Sequence, residues 1–135
     1  WCAGAVYFVG IEAALAAWRD ALAPGGAIAF SEPCLFTDTP SEAAVAFWDG
    51  YVGLTNAQGI ADHVTAAGYE TLAARAVSDI GWESYYRPLE DRVSKLRRGA
   101  DERLLKALDS EGAEPERWRS VKAETGYLLS VVKPK

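Results

Sequence analysis

The stretch "ALAPGGAIAFSEP" (Ala21 to Pro33) constrains this chain more than any other. Pro24 cannot continue a helix, and Gly25-Gly26 can enter backbone conformations closed to other residues, so the chain must stop and turn there. Upstream, Ile11, Ala14, Leu15, Trp18 and Leu22 recur at i, i+3, i+4 and i+7, the pattern of a helix with one buried face. Downstream, Ala27 to Ser31 is short and apolar, as parallel buried strands tend to be. Trp1 to Phe8 reads as another buried strand with the loop at its end, broken by Gly4. Strand, helix, strand in that order is the βαβ unit of a parallel sheet. Glu32 then lies just past the second strand, where Pro33 forces an extended exit. In open α/β sheets, ligands bind at that carboxyl edge.

Further on, "TPSE" (Thr39 to Glu42) is a capping box with Pro40 at the first helical position, predicting a helix to about Gly50. "TNAQ" (Thr55 to Gln58) is a second capping box, opening a helix that Gly68 closes. Tyr69 to Ser78 reads as a third strand. The pattern is helical from Trp82 to about Arg98 and from Asp101 to about Leu108, and a short helix follows Pro115. "YLLSVVK" (Tyr127 to Lys133) is the last strand. Residues 1–80 and 126–135 therefore read as a sheet core with flanking helices, and residues 81–125 as a helical insertion or lid.

Composition narrows the function classes. At 135 residues, half of them hydrophobic, the chain is one domain or a piece of one, with ample material for a core. A net charge of −5 disfavours a nucleic-acid backbone as partner, since phosphate binding needs clustered cations. The one basic cluster, "KLRRG" (Lys95 to Gly99), is flanked by acids and reads as a solvated helix end. Two cysteines, Cys2 and Cys34, make neither a disulfide framework nor a metal spacing, which points to a reducing cytoplasm. No apolar run approaches the roughly 18 residues of a membrane helix, and no signal peptide is visible. The chain opens "WCAGAVYFVG" with no methionine anywhere, so a fragment of a longer protein is expected.

"AGAVYFVGIEAALAAWRDALAPGGAIAFSEP" resembles the second half of class I S-adenosylmethionine-dependent methyltransferases of the small-molecule, ubiquinone/menaquinone-biosynthesis-like type. In that family the fourth strand ends in a small-residue loop with an aromatic, and a helix ending in Leu-x-Pro-Gly-Gly leads to a fifth strand with a polar or acidic end. Leu22-Ala23-Pro24-Gly25-Gly26 matches the turn without departure. "AAGYETL" (Ala66 to Leu72) resembles the late helix and sixth strand, and "GYLLSVVKPK" the last, antiparallel strand. The resemblance implies the C-terminal half of a Rossmann-like α/β sheet of about four strands, the last antiparallel and lying between the second and third of this chain. It also implies S-adenosylmethionine as cofactor. The family's Gly-x-Gly-x-Gly loop is absent, as is the acid that holds the cofactor ribose. This chain alone is therefore expected to bind S-adenosylmethionine weakly or not at all, its missing N-terminal half supplying most of the grip.

By the same resemblance Ala3, Gly4 and Ala5 line the cofactor's methionine end, while Tyr7 and Glu32 are the candidate catalytic residues. Glu32 could accept a substrate proton, or it could cap a helix or pair with an arginine. Tyr7, Trp48, Tyr51, Trp82, Tyr85 and Tyr86 are the candidate substrate contacts for a small methyl acceptor, against a plain core role. No metal site is expected. Two rivals stand beside methyl transfer: a non-catalytic half-domain that self-associates through the unpaired edge of its first strand, and a piece of another Rossmann-like enzyme. Either way a homo-oligomer through that edge is expected, with no nucleic-acid or membrane partner.

Overall fold

A computed structural model describes residues 1–135 and divides them into two compact units, Trp1–Val77 with Ala123–Lys135, and Ser78–Lys122. The first unit holds the sheet. Its strands are β1 (Cys2–Ala3), β2 (Ile28–Leu35), β3 (Thr55–Asn56), β4 (Tyr69–Ala76) and β5 (Thr125–Pro134), and its helices are α1 (Ile11–Trp18), α2 (Glu42–Ala46) and α3 (Ala57–Ala66). The order is β1-β2-β5-β4, with the two-residue β3 also pairing β2. β1 and β3 run parallel to β2, and β5 runs antiparallel to both β2 and β4. The last strand thus lies between β2 and β4, as the family resemblance implied.

The Pro-Gly-Gly turn has a specific geometry. Gly26 N–H donates to the Ala23 carbonyl at 2.8 Å, Pro24 takes the second position, and Gly25 has φ +75°. That is the residue pattern of a type II turn, which requires positive φ at its third position. A Cβ on Gly26 would meet the Ala23 carbonyl oxygen at 2.8 Å, so both glycines are needed for different reasons. Gly68, at φ +77°, ends α3, and Arg19 Nη2 donates to its carbonyl at 2.9 Å. Tyr69 then enters the core fully buried and donates its hydroxyl to the Leu15 carbonyl. The core joins Leu15 of α1, Ile60 and Val64 of α3, and Phe30, Leu128 and Val132 of the sheet.

Several local expectations are corrected. The first strand is only Cys2–Ala3; Gly4 at φ +58° breaks the extended run, and Val6–Phe8 is a 3₁₀ turn. β2 runs on to Leu35, so Glu32 and Pro33 lie inside the strand rather than past it, because β5 pairs along its whole length. The cap of α2 is Ser41, not Thr39, with Pro40 outside the helix, and α2 ends at Ala46 rather than near Gly50. Ser41 also binds the Glu124 carboxylate through both N–H and hydroxyl, a long-range contact that sets the cap. Asn56, not Thr55, caps α3.

The second unit is a helix pair, α4 (Asp79–Leu96) and α5 (Glu102–Val121). The break expected before Pro115 does not occur, and α5 runs through it. A proline inside a helix costs about 3 kcal/mol; here Pro115 is fully buried, and Trp118 and Val121 beyond it pack in the interior. Trp82 of α4 stacks on Trp118 and Tyr86 packs against it at a tilt, with ring centroids 5.2 and 5.4 Å from it. Arg119 bridges two α4 acids, its nitrogens 2.8 and 2.9 Å from the Glu83 oxygens and 2.7 and 3.0 Å from those of Glu90. These hydrogen bonds hold the Glu83 carboxyl down at about 2. A depressed carboxyl stabilises the fold above its unfolded value near 4.5 and loses that contribution as pH falls through about 2. Arg119→Met is therefore expected to lower the melting temperature at pH 7, and the deficit to shrink between pH 4.5 and 2. Thermal melts followed by near-UV circular dichroism check this; a deficit independent of pH would count against it.

Candidate functional site

β2 has a gap along its β1 side. β1 pairs opposite Phe30 and Ser31, and β3 opposite Cys34 and Leu35, leaving Glu32 and Pro33 with no neighbour there. Proline offers no N–H to a ladder and belongs at such an interruption. A cavity of about 540 Å³ opens at this point, bordered by Tyr7, Phe8, Glu12, Glu32, Pro33 and His63 among others. Its size suits a small organic molecule.

Glu32 occupies a slot meant for an apolar side chain. Alternation along β2 puts it on the same face as Ile28, Phe30 and Cys34, all members of the core cluster. The residue is 7% exposed, and its Oε2 has no hydrogen-bond partner. The helix-cap and arginine-pair alternatives therefore do not describe it. Burial without a counter-ion penalises the charged form and pushes the carboxyl up to about 7.

An aromatic group stands beside it. Tyr7 packs on Tyr51 at 4.4 Å between centroids, and the Tyr51 and Tyr127 hydroxyls lie 3.3 Å apart. Trp48 meets Tyr51 and Tyr127 edge-on, at 5.0 and 5.1 Å. Its indole N–H donates to Thr125 Oγ1, which in turn donates to the Cys34 carbonyl. Burial, with Tyr51 and Glu32 near, raises the Tyr7 and Tyr127 phenols, so both stay protonated donors at neutral pH. Gly4 closes the group: its N–H donates to Ser31 Oγ at 2.9 Å, and a Cβ there would meet the Tyr127 hydroxyl at 3.0 Å.

The expected site residues fall into three groups. Glu32 and Tyr7 border the cavity, with Tyr51 and Trp48 packed behind Tyr7. Ala3, Gly4 and Ala5 form the end of β1 and its exit, near Tyr127 but not on the cavity wall. Trp82 and Tyr86 are buried in the α4–α5 stack of the second unit, and Tyr85 is 59% exposed there. Sequence reading passed over Tyr127, Phe8, Glu12 and the cavity-side position of His63. His63 Nδ1 lies 2.8 Å from Glu12 Oε1, linking α3 to α1 at the rim. No local motif marks that pair, since 51 residues separate its members. No cluster of His, Cys, Asp or Glu could hold a metal.

Two outcomes test this geometry. Between pH 4.5 and 7 the folded chain keeps the Glu32 proton that the unfolded chain releases, so stability falls as pH rises through about 7. Glu32→Gln removes that loss and is expected to gain roughly 3 kcal/mol at pH 8 relative to pH 4. Urea unfolding at several pH values measures the difference; a flat difference would contradict the buried, unpaired carboxylate. Gly4→Ala must accept positive φ and press on Tyr127, costing about 1–3 kcal/mol. Tyr127→Phe in the same chain is expected to return part of that cost, read as coupling in a double-mutant cycle.

Gly4 N–H is committed to Ser31 and Tyr127 fills the space beside it, while no Gly-rich loop or ribose-binding acid exists in this sequence to hold an adenosyl group. No protein-family profile and no curated protein matches the sequence. Solved structures do match. A SAM-dependent methyltransferase from Geobacter sulfurreducens, solved with S-adenosyl-L-homocysteine, superposes with a TM-score of 0.75 at 19% identity over 99% of this chain and 56% of that one. One from Thiobacillus denitrificans, also with S-adenosyl-L-homocysteine, gives 0.75 at 18%, with the same coverage. Phosphoethanolamine N-methyltransferase 2 from Haemonchus contortus, with S-adenosyl-L-methionine, gives 0.72 at 13% over 98% of this chain and 32% of that one. The chain thus spans about half the length of the first two, and over that span it has the Rossmann-like fold of the class I S-adenosylmethionine-dependent methyltransferases.

Proposed function

We propose that this chain is the acceptor-side part of an S-adenosylmethionine-dependent methyltransferase acting on a small molecule. The observation that carries the reading is the cavity at the interruption in β2, with the unpaired Glu32 carboxyl buried in its wall, within a methyltransferase fold. S-adenosylmethionine, held largely by residues outside this sequence, would supply an electrophilic methyl group. The chain's own task is then to seat the acceptor and take up a proton. Tyr7 and the apolar residues of the wall do the first. Glu32, with a carboxyl near 7, is matched to accept a proton from an acceptor N–H or O–H at neutral pH. Alignment of nucleophile and leaving group supplies much of the remaining rate, which is why no triad is needed.

In the intact gene product, Glu32→Gln is expected to lower kcat for methyl transfer about 100-fold, with little change in KM for S-adenosylmethionine. An unchanged kcat would remove Glu32 from the chemistry. An intact product that gives no calorimetric heat with S-adenosylhomocysteine would overturn the methyl-transfer reading itself.

One observation favours a second reading, self-association through β1: that strand sits at the sheet edge with its outer side unpaired, and Trp1 beside it is 80% exposed. Light scattering of the chain at micromolar concentration is expected to give a dimer or larger assembly, and a monomer sinks this reading.

A further inference from the structure

The cavity beside β2 is bordered by charge of one sign. Two carboxylates, Glu12 and Glu32, line it, and no lysine or arginine does. Its only basic side chain, His63, is already matched to Glu12. Glu32 has no such counter-ion: the side chain is buried and Oε2 meets no donor. An ionised carboxyl is purely an acceptor, so a ligand that satisfies it must bring an N–H or O–H. The same cavity wall carries the rings of Tyr7 and Phe8, 4.0 Å between centroids. Ring faces attract cations, and a buried carboxylate does so more strongly where water is excluded. An anionic ligand would instead add like charge beside an unneutralised one.

We propose that the pocket takes a primary or secondary amine, entering as its ammonium ion, with the Glu32 carboxylate as counter-ion and the Tyr7 and Phe8 rings against its alkyl part. The proposal rests on the reading of this cavity as the acceptor site and names the acceptor's chemical class. Once seated, the ammonium N–H donates to Oε2, and the proton then passes from nitrogen to that oxygen. The N–H bond breaks, the O–H bond forms, and the nitrogen keeps the electron pair as a neutral nucleophile, with no change of oxidation state. The upward push of burial on the Glu32 carboxyl favours that transfer.

The test uses three small probes of matched size and different charge: n-butylammonium, n-butanol and butyrate. Each is titrated into the 135-residue chain at pH 8 and followed by the backbone amide resonances of Tyr7, Phe8 and Glu32. Butylammonium is expected to shift these amides saturably, and to bind at least about tenfold tighter than butanol, the worth of one charge-assisted hydrogen bond. Glu32→Gln is expected to remove that advantage. Glu12→Gln, at the exposed rim, is expected to weaken butylammonium by about two- to threefold. Butyrate binding as tightly as butylammonium, or an undiminished advantage in Glu32→Gln, overturns the amine assignment. Butanol or butyrate shifting these amides while butylammonium does not would overturn it too, but leave the acceptor-pocket reading standing. Amides unmoved by all three probes would overturn both.

Discussion

The antiparallel ladder between β2 and β5 is the contact on which the first unit depends. Eight residue pairs run from Ile28 opposite Val132 to Leu35 opposite Thr125. β2 and β4 do not pair with each other; β5 lies between them and hydrogen-bonds both. Without it β4 would have no sheet to join, and β2 would keep only the two-residue β1 and β3 as partners. The ladder closes a chain segment of about ninety residues, an entropic cost that rises only slowly with length and is met by a long run of pairs. It also extends β2 past Ser31, which is what draws Glu32 and Pro33 into the sheet.

That extension has a chemical consequence. A carboxylate at a strand exit would be hydrated and ordinary. Placed instead in a core-facing slot among Phe30 and Cys34, Glu32 loses water and gains no donor. The fold tolerates an unsatisfied acceptor that weakens it at alkaline pH. Such sites gather where proteins bind or react, because a group held away from its preferred state responds strongly to a ligand. The interruption of the β1–β2–β3 edge gives that group access to a cavity, so register and reactivity arise from the same two residues.

Parts of this were legible in the sequence for identifiable reasons. Leu22 to Gly26 dictates its own turn, because proline and glycine act through local backbone sterics that no tertiary contact has to supply. The helical spacing from Ile11 to Trp18 and the apolar β2 run were likewise local, and the βαβ order followed. The boundaries that moved were those set at long range. Ser41 caps α2 while also held by Glu124, and α5 continues through Pro115 because Trp118 and Val121 find a buried place beyond it. Glu12 and His63 meet only because α1 and α3 pack side by side, and neither is remarkable in the sequence taken alone.

By itself, then, the sequence determined the class of fold, the turn that joins α1 to β2, and the presence of an acid near the carboxyl end of that strand. Periodicity and backbone sterics act over a few residues and are written in them. The tertiary structure decided whether that acid was solvated or buried, which groups faced it, and where a cavity opened beside it. Those depend on which strand pairs with which and how far the pairing runs, here settled by a strand some ninety residues away.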